Sequence, residues 1–179
     1  MEAVWTILNW VVLPLWVFAG FLDYLCHRNA RIEVATGERE SAIHWLMISE
    51  VGLPILLAVF FKVNALILAT AAILWVAHEI TGYLDLRIAM ATRQVTIFEH
   101  QVHSMLEVLP LVALLLLAVL HWDQAKALVG VGSTVADFGL RMKEFPKLVE
   151  IGPPGLTFVI LTVLPYAEEF IRGFKRRGA

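Results

Sequence analysis

Residues 97–121 read IFEHQVHSMLEVLPLVALLLLAVLH. From Val108 to Leu120 the run carries no ionisable side chain. The whole stretch exceeds the roughly 20 residues a helix needs to cross a bilayer. Its first half holds Glu99, His100, His103 and Glu107. Ionisable groups are costly inside a membrane and mark function by default. One stretch therefore reads as a membrane-spanning helix with its chemistry gathered at one end.

Working outward, four more apolar runs approach the same length: Val4 to Leu22, about Ala42 to Phe61, Asn64 to about Thr81, and about Leu156 to Phe170. Asn64 suits a helix N-cap. The expected fold is all-α, an integral-membrane bundle of about five transmembrane helices forming one domain over residues 1–179. Composition agrees. Hydrophobic residues make up 59% of the chain and charged residues 17%, against about 45–50% and 25% in soluble domains. Those figures exclude a disordered chain and argue against an ordinary soluble domain. A net charge of -2 gives nucleic-acid binding no support. The single cysteine, Cys26, excludes an intrachain disulfide and any cysteine-rich metal site. The N-terminal run has Glu2 as its only charge and lacks the positive region of a signal peptide, so it is expected to be retained.

Lys and Arg bias in the loops sets the expected orientation. With the N-terminus outside, Arg28, Arg31, Arg39, Arg87, Arg93, Arg172, Lys175, Arg176 and Arg177 fall inside, and Lys62, Lys126, Arg141, Lys143 and Lys147 fall outside. The inner set is larger, which predicts a cytoplasmic C-terminus; a compact chain without a targeting peptide fits, as a prior, a bacterial inner membrane. Residues 123–147 interleave apolar and charged side chains and read as an amphipathic helix on the outer membrane surface. Gly152-Pro153-Pro154-Gly155 is expected to end that segment and start the last span.

In that arrangement the ionisable residues share one level. Asp23 and His27 close the first span; His44 and Glu50 open the second; His78, Glu79 and Asp85 close the third; Glu99, His100, His103 and Glu107 open the fourth; Glu168 and Glu169 close the fifth. Five of the six histidines lie there, His121 being the exception. Asp23 and His27, Glu99 and His103, and His103 and Glu107 are four apart, so each pair shares a helix face. Clustered imidazoles and carboxylates suit iron, manganese or zinc. Inward-facing carboxylates and histidines from several helices are how bundles hold two metals. The expected ligands are His27, His44, His78 and His103 with Glu50, Glu79 and Glu99. Asp23, Asp85, His100 and Glu107 are candidate ligands or supports, and Arg93 a partner for a carboxylate or an anionic substrate head group.

Plainer roles stand beside these. Thr96-x-x-Glu99 is a capping-box pattern. His44, close after Ser41, also suits an interfacial position. Glu168 and Glu169 precede Arg172, Lys175, Arg176 and Arg177 and are expected to pair with that basic tail at the surface. Cys26 beside His27 is expected to be inert.

The arrangement resembles the integral-membrane di-iron enzymes of the fatty-acid hydroxylase and desaturase type, with some character of the ferritin-like di-iron carboxylate proteins. The likeness spans Asp23 to Glu107 and is one of placement. That family's HxxxH and HxxHH boxes are absent: the chain has Asp23-x-x-x-His27 and His100-x-x-His103 and no adjacent His pair, and Glu99-x-x-x-His103 is one residue longer than the ferritin-like Glu-x-x-His, which is absent too. The resemblance implies two metal ions, iron foremost, O2 chemistry on a lipid-like substrate, and electrons from an external donor. Two other classes fit buried His and carboxylate groups: an ion or proton transporter and a haem-binding electron carrier with two axial histidines.

Overall fold

Asn64 fixes the hairpin between the second and third helices of the bundle. In the computed structural model, which describes residues 1–36, 38–144 and 148–177, its side chain accepts a hydrogen bond from the Ile67 amide (3.3 Å) and starts the third span. Five helices are long and apolar enough to cross a membrane: Glu2–Ala30, Arg39–Phe60, Ala65–Thr92, Ile97–Leu120 and Gly152–Arg176. In chain order they are the first to fifth spans. The structure is an all-α bundle with no strand among the described residues.

Proline shapes these helices. The first span passes through a π turn at Leu8–Val12 directly before Pro14, and the fifth through a π turn at Val159–Val163 directly before Pro165. Proline has no N–H and crowds the carbonyl four residues back, and a wider turn just ahead of it relieves both. Pro54 and Pro110 lie within the second and fourth spans.

The spans run further than expected at the ionisable end. The first continues to Ala30, where Arg31 leaves it in a left-handed conformation (φ 52°). The third continues to Thr92, which places His78 and Asp85 inside a helix and on one face. The fourth follows after a short link and is capped by the Thr96 hydroxyl, which accepts from the Glu99 amide (3.1 Å).

At the opposite end the packing is apolar. Val63, Ile67, Leu68 and Leu117 form one cluster, and Leu8, Val12 and Leu120 another. The fifth span packs on the first through Trp16 and Phe158, whose rings stack at 6.2 Å, and through Tyr24 and Tyr166 at 6.4 Å.

One expectation fails here. The described residues 123–144 do not form an amphipathic helix. The helix covers only Trp122–Leu128, and Gly130 (φ 71°) and Gly132 (φ 93°) turn the chain where a side chain would be strained. From Ser133 to Glu144 the chain is an irregular strap tied to the hairpin between the second and third spans. The Lys62 amide donates to the Arg141 carbonyl (2.8 Å), the Lys143 amide to Phe60 (2.9 Å), and the Asn64 side chain to Gly139 (2.7 Å). Residues 145–147 lie outside the described residues. The Gly-Pro-Pro-Gly run does stand at the start of the last span, Gly152–Arg176, but it lies within a helix that already runs from Leu148.

Candidate metal centre

Every span sends a side chain to one buried point. Asp23 and His27 come from the first, His44 from the second, Asp85 from the third, His103 from the fourth, and Tyr166 and Glu169 from the fifth. His27 and Glu169 are both 0% exposed.

Glu169 organises the group. Its Oε2 accepts from His27 Nδ1 (3.2 Å) and its Oε1 from His44 Nδ1 (2.8 Å). One carboxylate thereby fixes the tautomer and plane of two imidazoles, which stack 4.4 Å apart at 6°. With both Nδ1 protons committed, both Nε2 lone pairs are free on the other edge of each ring. His27 Nε2 lies 3.3 Å from Asp23 Oδ1, and His44 Nε2 lies 3.3 Å from Asp85 Oδ1. His103 Nε2 approaches Asp23 Oδ1 at 2.9 Å. The Tyr166 hydroxyl donates to the other oxygen of Asp23 at 3.0 Å.

Four of these atoms are buried and make no hydrogen bond: Asp23 Oδ1, His27 Nε2, His44 Nε2 and Asp85 Oδ1. Orphaned buried polar atoms are rare and costly. Here all four are metal-donor types. Asp23, His27 and His103 form one group whose ligand atoms lie within 4.8 Å of one another, and His27, Glu40 and His44 form another. Either could hold a metal ion. In the second group Glu40 is already engaged, with Oε1 on Arg93 (2.7 Å) and Oε2 on the Thr36 hydroxyl (2.5 Å). Asp85 is the free carboxylate beside His44. The donor set fits a divalent cation of the iron, manganese or zinc kind.

Charge points the same way. Asp23, Glu40, Asp85, Glu99 and Glu169 are all buried. Among the described residues the only Lys or Arg paired with any of them is Arg93, whose Nη2 meets Glu40 at 2.7 Å and Glu99 at 2.5 Å. Burial lowers the Arg93 pKa, but its hydrogen bonds and charge contacts with Glu99 and Glu40 outweigh that and leave it above the ordinary guanidinium value. Asp23, Asp85 and Glu169 face histidines alone. Buried carboxylates demand compensating positive charge, and a cation held by these groups would supply it.

The expected ligands divide. His27, His44 and His103 come together, with Asp23 and Asp85 among them. Glu99 stands at the edge, 3.8 Å from His27 Nε2, and is held by Arg93. Arg93 is therefore an internal counter-ion and not a head-group site on the surface. His78 and Glu50 form a separate pair at 3.7 Å. His78 Nε2 donates to the Leu106 carbonyl (3.4 Å), and Glu50 accepts from Thr81 (2.9 Å). Glu79 is half-buried and belongs to neither group of converging ligand atoms. His100 is exposed. Glu107, with His78 and Gly82, lines a cavity of about 50 Å³ that also touches Asp23, His44, Asp85 and His103.

Sequence reasoning misses Glu40, Tyr166 and Glu169, and its surface role for Glu169 is wrong. Glu168 does face outward, meeting Arg28 at 3.1 Å and Arg172 at 3.5 Å. Its neighbour is turned about 100° around the helix and points into the bundle. The available signal is spacing: Tyr166 and Glu169 are three apart, and Glu40 lies four before His44. No family model matches the chain, and no curated protein or solved structure matches it.

Proposed function

We propose that the chain is a membrane-embedded metal enzyme with a two-ion centre. His27 Nε2 and Asp23 would hold one ion with His103, and His44 Nε2 and Asp85 the other. The observation that carries this reading is the single Glu169 carboxylate bracing both imidazoles while their Nε2 atoms and the facing Asp oxygens stay buried without hydrogen bonds. Carboxylate-braced histidine is the usual support of a metal ligand. Rings 4.4 Å apart suit two ions side by side, which in dinuclear sites stand about 3.5–4 Å apart.

Iron is the favoured metal, by the resemblance in arrangement to the membrane di-iron enzymes, and manganese or zinc would fit the same donors. Two ferrous ions would supply reductive O2 chemistry on a C–H bond of a lipid-like substrate, with electrons from an external donor. The chain's own contribution is positional. Glu169 keeps both Nδ1 atoms protonated, Tyr166 holds Asp23 by its hydroxyl proton, and the apolar packing around the group excludes water. With the N-terminus outside a bacterial inner membrane, the centre would lie near the cytoplasmic face, within reach of a soluble donor.

Metal content of detergent-purified protein, measured by plasma mass spectrometry, tests this. About two irons per chain are expected, with loss of metal in His44→Ala and Asp85→Asn. No stoichiometric metal after loading with ferrous, manganous and zinc ions would overturn it. A Soret band would move the histidines to haem instead.

A further inference from the structure

A second cavity, of about 500 Å³, lies between the first four spans on the side away from the metal centre. It begins at Lys143 and Glu144 of the strap, and Trp5, Trp16 and Glu50 lie along its length. Trp5 and Trp16 are separated by about 16 Å of helix rise, so the mean cross-section is roughly 30 Å². That is enough room for an extended alkyl chain. The wall between is apolar, with Leu8, Ala71, Ala113 and Leu117 among its side chains.

The two ends differ. At the mouth, the half-buried Lys143 ammonium donates one of its three protons to the Ala58 carbonyl (2.6 Å). Glu144 beside it is exposed, and water screens its charge. Burial lowers the Lys143 pKa, and an anionic partner would offset that cost. At the deep end, Trp16 lines both this cavity and the small one at the metal centre. Glu50, in the wall of the large cavity, is 3.7 Å from His78, in the wall of the small one. The deep end of one cavity is thus the near wall of the other.

We propose that this cavity binds a single-chain anionic amphiphile, with its head group on Lys143 and its hydrocarbon tail against Trp16. That the bound chain is also the substrate rests on the metal-enzyme reading; that it binds does not. Arg93, at the other end of the bundle, is consumed by Glu40 and Glu99, so the head group is assigned to the strap side.

The test uses full-length protein in phosphatidylcholine nanodiscs with 12-doxylstearate as probe, reading tryptophan quenching that excess unlabelled stearate displaces. The expected result is saturable, displaceable quenching in the wild type. Ala113→Phe, which fills the cavity, should abolish it. Lys143→Met should weaken stearate binding about tenfold and leave the methyl ester unaffected. Quenching that stearate cannot displace, or that survives Ala113→Phe, would overturn the proposal. Equal quenching by a doxyl-phosphatidylcholine would show that a bilayer lipid chain occupies the cavity and would overturn the head-group assignment. Lys143→Met lies outside the spans and keeps the test open if Ala113→Phe fails to fold. Metal content of the same samples separates the two readings: chain binding without metal sinks the enzyme and spares the cavity, and metal without chain binding does the reverse.

Discussion

Glu169 holds two imidazoles with one carboxylate, so its replacement should act on both halves of the centre at once. Glu169→Gln offers one oxygen and one NH2, and the NH2 meets an Nδ1 proton. One imidazole must then change tautomer or turn. Metal affinity should fall about 10–100-fold, read by competition with a chromogenic chelator; retention of wild-type affinity would deny Glu169 its bracing role. Arg93 predicts a different failure. Arg93→Met leaves Glu40 and Glu99 buried and unpaired, which should cost about 3–5 kcal/mol and lower the thermal midpoint before any metal is added. At this scale the sequence is half legible. Asp23 and His27, four apart, declare a shared face, and both reach the centre. Glu169 is hidden because a carboxylate near a basic tail looks paired, and Glu168 satisfies that appearance. Only the rotation between adjacent helical residues separates the two, and it has to be referred to the neighbouring helices before it says anything.

The elements show the same division. The apolar runs name five spans, and all five are there. Hydropathy sets their ends short because it stops at the first charges, while the helices continue as long as buried partners accept those charges. Asp85, past the expected end of the third span, is the clearest case. The strap misleads for another reason. Its alternation of apolar and charged residues looks helical, but Gly130 and Gly132 take positive φ angles, and the backbone bonds of the strap go to a hairpin about 75 residues earlier in the chain. No local pattern carries that information. Asn64 ties the two together by capping the third span and binding Gly139. Asn64→Ala should cost about 1–2 kcal/mol and raise amide exchange in residues 139–143 more than in the spans. Equal protection in both would dismiss the strap contact.

For the whole molecule, the balance of buried charge sets stability. Five carboxylates and one guanidinium meet at one end of the bundle, and bound cations would offset the remainder. A ligand at about 1,000 times its dissociation constant stabilises by about 4 kcal/mol. A strong chelator should therefore lower the melting temperature of the purified protein, and ferrous ion should restore it; an unchanged melting curve would mean that no cation contributes. The fifth span bears on how such a molecule is made. It alone brings Glu169 and Tyr166, and it follows the other four in the chain. Until that helix is in place, His27 and His44 lack the carboxylate that holds both of them. If the group holds metal, its ligand frame is complete only once the fifth span is in place, so loading would follow the last insertion.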